Sequence, residues 1–527
     1  MRAMPKFLDI PAPNPQSPKP NRDSYGAAFR LFVLTALPLA LCAAADSPLA
    51  QAVKDGDRIT AISLIDKKSG INQPESDGTT ALHWAAHFAD ADLADRLLKA
   101  GADPKARNQF GSTPLSEAAL ANSTPIIDKL LQAGADPNAS ATDGMTPLMI
   151  VARSTNVADA KLLLDHGANV NAKESQKDQT ALMWAAAQSR GPMVKLLVSS
   201  KADVNARTRI DENIAQVSAE PRAGYRSYGG LSPLLYASRE GCIDCVKALK
   251  EGGANLNQAD PEGVTPLILA IWNAHFDTAS YLIKAGANVN KWDWWGRSPL
   301  YLAVDYNTLP HGGRPDAPSL DETTPLQVID QLLNAGANPN LQLKILPPFR
   351  SVGSDRGVDL MLSTGTTPLL RAAKAQDAPA IALLLKHGAL PSLPNIQNIT
   401  PIMAAAGMGS VDADTRGWYN TDDIQQRSIA SLELLLAAGG EINSPGGRND
   451  QTPLHAAAFW GWNEVVKYLV ADGADVKAKD NRGLNAIDAA LGRAGGNSRG
   501  GQRVDVHQDT ADLLIKLGVP PPVVAAK

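Results

Sequence analysis

The chain has 527 residues and a formal net charge of −4, which gives no basic footprint for nucleic acid. It is 44% hydrophobic, 20% charged and only 5% aromatic, so its bulk composition suggests neither a membrane-embedded nor a collagen-like nor a disordered protein. Three cysteines (Cys42, Cys242 and Cys245) are too few for a disulfide framework.

Residues 1–28 are polar and rich in proline. Phe29 to Cys42 is nearly all apolar, broken by Arg30 and Pro38, and Ala43-Ala44-Ala45 leads into Asp46. A basic flank, a short apolar run and an Ala-x-Ala site are the parts of a secretory signal. The apolar run is shorter than the roughly 20 residues a membrane span needs. The reading is cleavage after Ala45, leaving no membrane span in a periplasmic or secreted chain; the alternative is an uncleaved anchor over 29–45.

From Asp46 a period takes over. A Thr or Ser followed by Pro or Ala and then an apolar residue, mostly Leu, recurs at Ser47, Thr80, Thr113, Thr146, Thr180, Ser232, Thr265, Ser298, Thr367, Thr400 and Thr452, and the slot is worn to Asn at Asn485. Seven of the eleven spacings are 33 residues, which marks a stacked repeat. Thr or Ser caps a helix N-terminus through its hydroxyl, and Pro fits the next position, where no N–H is needed. Paired alanines such as Ala85-Ala86 and Ala456-Ala457 let a first helix approach its neighbours. Leu93, Leu97 and Leu98 make the second helix amphipathic, and Gly101 or its counterpart ends it in a left-handed cap. One such unit cannot bury its own apolar face, so stacking must. Thr80-Ala81-Leu82-His83 and Thr452-Pro453-Leu454-His455 sharpen the pattern, which resembles the ankyrin repeat family from Ser47 to about Leu517. The fold expected is an all-α solenoid of twelve units over 46–519, with hairpin-like finger turns and a short tail at 520–527.

The period slips where residues are inserted, near 207–230, 306–324, 341–365, 407–424 and 492–503. Long loops on a rigid scaffold commonly carry function. The resemblance implies that partners dock on the concave side, through the finger tips and the exposed ends of the first helices. Mapped by position from the Thr/Ser slot, those places hold Tyr228, Trp272, Trp294, Trp295, Arg297 and Tyr306. Trp, Tyr and Arg dominate binding hot spots, so these six are the candidate partner-binding residues; the competing reading is that the rings pack against the neighbouring loops. Phe459 and Trp460 offer a second, smaller contact. Trp84 and Trp184 read as packing residues.

Cys242-Ile243-Asp244-Cys245 has the redox spacing at a helix start. Three readings stay open for it: a redox pair, a passive disulfide, or simple packing. His83 and His455 read as structural, because the ring in this phrase ties the Thr hydroxyl to the backbone. No nucleophile–base set, metal-ligand spacing or cofactor motif appears. The function expected is a non-enzymatic, monomeric scaffold or adaptor for an unidentified protein partner, acting outside the cytoplasm. The alternatives are a membrane-tethered interaction protein or a thiol redox protein using Cys242 and Cys245.

Overall fold

A computed structural model describes residues 47–216, 224–308, 319–345, 363–408, 423–447, 449–493 and 506–521. The segment read as a signal or anchor lies outside the described residues, as do the last six residues and the central part of every insertion, including Trp418 and Tyr419.

The described residues form twelve helix pairs. The first four are α1 (Pro48–Lys54) with α2 (Arg58–Asp66), α3 (Ala81–His87) with α4 (Ala91–Lys99), α5 (Pro114–Leu120) with α6 (Thr124–Gln132), and α7 (Pro147–Ala152) with α8 (Val157–Asp165). Next come α9 (Ala181–Ala187) with α10 (Gly191–Ser199), α11 (Pro233–Arg239) with α12 (Ile243–Glu251), α13 (Pro266–Trp272) with α14 (Phe276–Lys284), and α15 (Pro299–Thr308) with α16 (Pro325–Asn334). The last are α17 (Pro368–Lys374) with α18 (Ala378–Lys386), α19 (Pro401–Ala405) with α20 (Ile424–Ala437), α21 (Pro453–Phe459) with α22 (Asn463–Ala471), and α23 (Ala486–Ala490) with α24 (Gln508–Lys516). No described helix is long and apolar enough to cross a membrane.

The repeated phrase acts locally as its chemistry requires. The Thr113 hydroxyl accepts from Ser116 N at 3.2 Å, with Pro114 in the first helical position. Asn485 keeps this role: its Oδ1 accepts from Ile487 N at 3.0 Å and Asp488 N at 3.2 Å. His83 Nδ1 accepts from Thr80 N at 3.1 Å, and its Nε2 donates to Ser112 O of the next finger at 3.1 Å. His455 repeats the arrangement with Thr452 and Leu484. Burial holds both rings below the ordinary histidine pKa, which suits a neutral structural group.

First helices pack on first helices (α1 on α3, α3 on α5) and second on second, so one core runs through the array. The paired alanines sit at the first-helix contacts and are buried. Two hydrogen-bond ladders tie neighbouring units together. In one, an Asn four residues after most of the helix caps reaches the next unit: Asn290 Nδ2 donates to Gly336 O at 2.9 Å while its Oδ1 accepts from Asn338 N at 2.7 Å. Asn72, Asn138, Asn171, Asn340 and Asn443 do the same. In the other, finger backbones bond in series, as from Gln109 N to Asp77 O at 2.7 Å and from Trp294 N to Glu262 O at 2.7 Å.

The finger ladder enters the insertion at 207–230 through Arg209 N, which donates to Lys177 O at 2.8 Å, and breaks at the next step, where Pro261 has no N–H to donate. The insertion, expected as a long loop, carries at its ends an antiparallel hairpin, β1 (Ile210–Gln216) and β2 (Gly224–Gly229). Arg207 bridges the break, donating from Nε to Gly230 O at 3.0 Å and from Nη2 to Ala259 O at 2.7 Å.

Candidate partner-binding face

The finger that precedes α15 is built around a buried cation. Gly296 closes its turn at φ +85°, a conformation that a Cβ would strain, and an added Cβ would also stand 2.6 Å from Lys344 N. The turn points Asp293 inward. Its Oδ1 accepts from Trp295 N at 3.1 Å and Arg297 N at 2.9 Å, and its Oδ2 from Arg297 Nε at 2.7 Å. The Arg297 guanidinium carbon lies 4.0 Å from the Trp272 ring centre and 4.6 Å from that of Trp295. The two indoles meet edge to face at 6.4 Å. A desolvated guanidinium survives here because it has a carboxylate in line and two π faces around it.

This corrects the expected binding face at two positions. Trp295 and Arg297 are only 4% and 3% exposed, so they form the inside of the finger and not its surface. Successive residues of a tight turn point in opposite directions, and Trp294 takes the outward one at 53% exposure. Trp292, also outward, is 43% exposed, with Lys344 Nζ 3.1 Å from its ring centre. Tyr228 is exposed as expected, but it stands on β2 opposite Asp211 and not at a finger tip. The Asp211 charge, and then its hydrogen bond, push the Tyr228 pKa up. Trp272 and Tyr306 are half-buried and hold each other: the Tyr306 hydroxyl donates to Trp272 O at 2.6 Å, and its ring meets Phe276 edge-on at 5.6 Å.

The exposed aromatic face of the sixth to eighth units is therefore Tyr228, Trp292 and Trp294, with Ile210 and Ile345 exposed on the hairpin and the following finger. Trp272, Trp295, Arg297 and Tyr306 are its frame. A sequence signal for that frame existed. From the second unit on, the position just before the Thr/Ser slot holds Thr79, Ser112, Met145, Gln179, Leu231, Val264, Thr366, Ile399, Gln451 and Leu484 elsewhere, so among these units Arg297 alone brings a charge there.

Asp260, on the preceding finger, is part of the same electrostatic unit. Burial pushes its carboxyl up to about 6, helped by the charges of Glu262 and Asp293 and opposed by N–H donors from Val264 and Glu262. A carboxyl whose folded pKa is raised binds its proton more tightly in the folded state. Its contribution to stability is full below the ordinary value of 3.8 and is lost as pH rises through about 6. Asp260→Asn keeps the acceptor for both N–H groups and removes the charge. It is expected to raise stability at pH 7 by about 2 kcal/mol, once the carboxyl's partial exposure is allowed for, and to leave stability unchanged at pH 3. Urea midpoints at the two pH values check this; a variant less stable at pH 7 would contradict it.

The Cys242 and Cys245 sulfurs are bonded at 2.04 Å. Cys242 caps α12, its sulfur accepting from Cys245 N at 3.2 Å, and Cys245 is buried in the slot that Leu93, Ile126 and Met193 fill in other units. Phe459 and Trp460 are half-buried, with Trp460 Nε1 donating to Gly407 O at 2.8 Å. Among the described residues no group of three or more His, Cys, Asp or Glu could hold a metal ion.

Comparison with known proteins matches the family model "Ankyrin repeats (3 copies)" at residues 49–141, 115–208, 214–293 and 234–311, and the model "Ankyrin repeat" at 449–481. Relatives include Transient receptor potential cation channel subfamily A member 1 of Drosophila melanogaster, 27% identical over 188 residues, which are 34% of this chain and 14% of that protein. Neurogenic locus Notch protein of Drosophila melanogaster is 34% identical over 96 residues, 18% of this chain and 3% of its own length. Rabankyrin-5 of Homo sapiens is 34% identical over 79 residues, 13% of this chain and 7% of its own. The chain thus matches only a minor part of each of these proteins.

Proposed function

Because this chain belongs to the ankyrin-repeat family, whose repeats form protein-interaction domains, we propose that it is a non-enzymatic scaffold that holds a partner protein outside the cytoplasm. The partner sits against the finger tips and first helices of the sixth to ninth units. One observation carries this reading. Trp292 and Trp294 stay in water on a turn whose backbone is locked by Asp293, Arg297 and the neighbouring fingers. Two large aromatic rings carried in solvent on a fixed backbone leave few torsions to order on binding and have much apolar area to bury. The leader-like composition of residues 1–45 supports export, and so does the Cys242–Cys245 disulfide, a bond that persists in oxidising compartments.

Capture from the native host's envelope fraction tests the site. The chain is expected to retain a partner that the Trp292→Ala/Trp294→Ala double variant loses, with unchanged circular dichroism. Equal capture by both would remove the finger from the interface. N-terminal sequencing of the mature chain tests export: a new terminus at Asp46 is expected, and an intact 29–45 segment would make the protein membrane-tethered instead.

A further inference from the structure

The first two units contain a cation–indole pair completed by a carboxylate. Lys54 stands seven residues after its Ser slot, and Trp84 four after the next Thr slot. Lys54 Nζ lies 4.9 Å from the Trp84 ring centre. Glu75, at the base of the finger between them, closes the set: it accepts from Trp84 Nε1 at 2.9 Å and pairs with Lys54 at 3.4 Å.

The fourth and fifth units repeat this arrangement without the carboxylate. Arg153 and Trp184 hold the same two positions, and the Arg153 guanidinium carbon lies 5.0 Å from the Trp184 ring centre. Trp184 Nε1 is buried and has no hydrogen-bond partner. Neither Arg153 nor Arg190 forms an ion pair among the described residues, and Arg190 Nε donates to Arg153 O at 3.2 Å, which brings a second guanidinium to the place. The cause is a single residue. The spacing into the fifth unit is 34, not 33. Glu174 stands where Glu75 does, its N donating across the finger to Gln179 O at 3.0 Å as Glu75 N does to Thr79 O at 2.8 Å. In the longer turn its carboxylate folds inward and accepts from Gln176 N at 2.6 Å, Lys177 N at 2.8 Å and Gln179 N at 2.9 Å. The indole N–H and the exposed Arg153 are left without the acceptor that their counterparts have.

We propose that Arg153 and Trp184 receive a carboxylate side chain from an acidic segment of the partner protein, which takes the place Glu75 fills in the second unit. This rests on the reading that the first-helix face receives a protein, and it adds the chemistry of one contact. The incoming carboxylate gains a charged partner in Arg153, which is free to turn towards it, and an N–H donor that otherwise stays unsatisfied in the interior. Arg190 adds positive charge without competing for the indole.

The indole N–H resonances of the full chain provide the test, with Trp184→Phe to assign the Trp184 signal and the satisfied Trp84 as internal reference. The probe is a glutamate decapeptide, with a lysine decapeptide and inorganic phosphate as controls. The Trp184 signal is expected to shift saturably with the glutamate peptide while the Trp84 signal stays still. Arg153→Gln, at an exposed position, is expected to weaken the titration about tenfold, the scale of one charged hydrogen bond. No shift, an unaltered titration in Arg153→Gln, or an equal response to phosphate would each overturn the proposal. This readout needs no partner protein. Glutamate binding alongside undiminished capture by the Trp292/Trp294 variant would fail the finger reading alone, and the reverse pattern would fail this one alone.

Discussion

Trp295→Ala is expected to destabilise the seventh and eighth units by about 3–5 kcal/mol, whereas Trp294→Ala, one residue away, should change stability by less than about 0.5 kcal/mol. The difference lies in what each ring touches. Trp295 is 4% exposed and forms one wall of the slot that holds the Arg297 guanidinium, against Trp272. Removing it leaves a cavity and takes one π face from a buried cation, so Asp293 and Arg297 become a desolvated pair with less compensation. Trp294 is exposed and contributes only its backbone N–H, donated to Glu262 O at 2.7 Å, which alanine retains. Stacked repeats can unfold in part, so amide hydrogen exchange of α13 and α15 is the suitable measurement alongside urea denaturation. Loss of protection in Trp295→Ala with full protection in Trp294→Ala is the expected pair of results. Equal protection in both would mean that the sandwich does not support the finger. The contrast also serves the functional reading: a finger variant is informative about binding only where it leaves this frame standing.

Asp159→Leu is expected to stabilise the fourth unit, by about 2 kcal/mol at neutral pH. Asp159 is fully buried on α8, in the slot filled by Leu93 on α4, Ile126 on α6 and Met193 on α10, and its carboxylate oxygens accept no well-formed hydrogen bond. Burial pushes its pKa up, against a weaker opposing pull from the Thr124 hydroxyl. The wild-type contribution to stability is therefore full below 3.8 and falls as pH rises through the raised folded value. Leucine removes both the charge and this dependence. The gain over wild type should accordingly be larger at pH 7 than at pH 3, as urea midpoints at the two values would show. Destabilisation at pH 7 would mean that the carboxylate has a role the present geometry does not reveal.

Much of the scaffold could be read from particular residues before any coordinates. Thr80, Pro114 and Gly101 each act within a few residues of chain, through a hydroxyl cap, a preset φ and a left-handed cap respectively. Lys201 stands 21 residues after Thr180, as Gly101 does after Thr80, and it adopts the same left-handed conformation at φ +69°. The inter-unit asparagines were also present as a recurring Gly-Ala-Asp/Asn-x-Asn phrase, but their partners lie roughly thirty to fifty residues away, so their role emerged only with the stack. The hairpin at 210–229 was missed because its pairing depends on two short strands meeting across a long insertion.

The candidate site divides along the same line. Sequence position alone identified the finger at 292–298 and its aromatic density, because the repeat period assigns every residue a place in the unit. Which ring faces water is a different kind of question. Trp294 and Trp295 have the same chemistry and adjacent numbers; one is exposed and the other buried because Gly296 turns the chain and Arg297 needs a π face. Likewise, one extra residue in the fifth finger diverts Glu174 onto its own backbone and leaves Trp184 without the acceptor Trp84 has. Local capping and periodic burial act over short range and are written in the order of residues. The direction of a side chain in a turn depends on neighbours from other units, and only the packed tertiary structure supplies them.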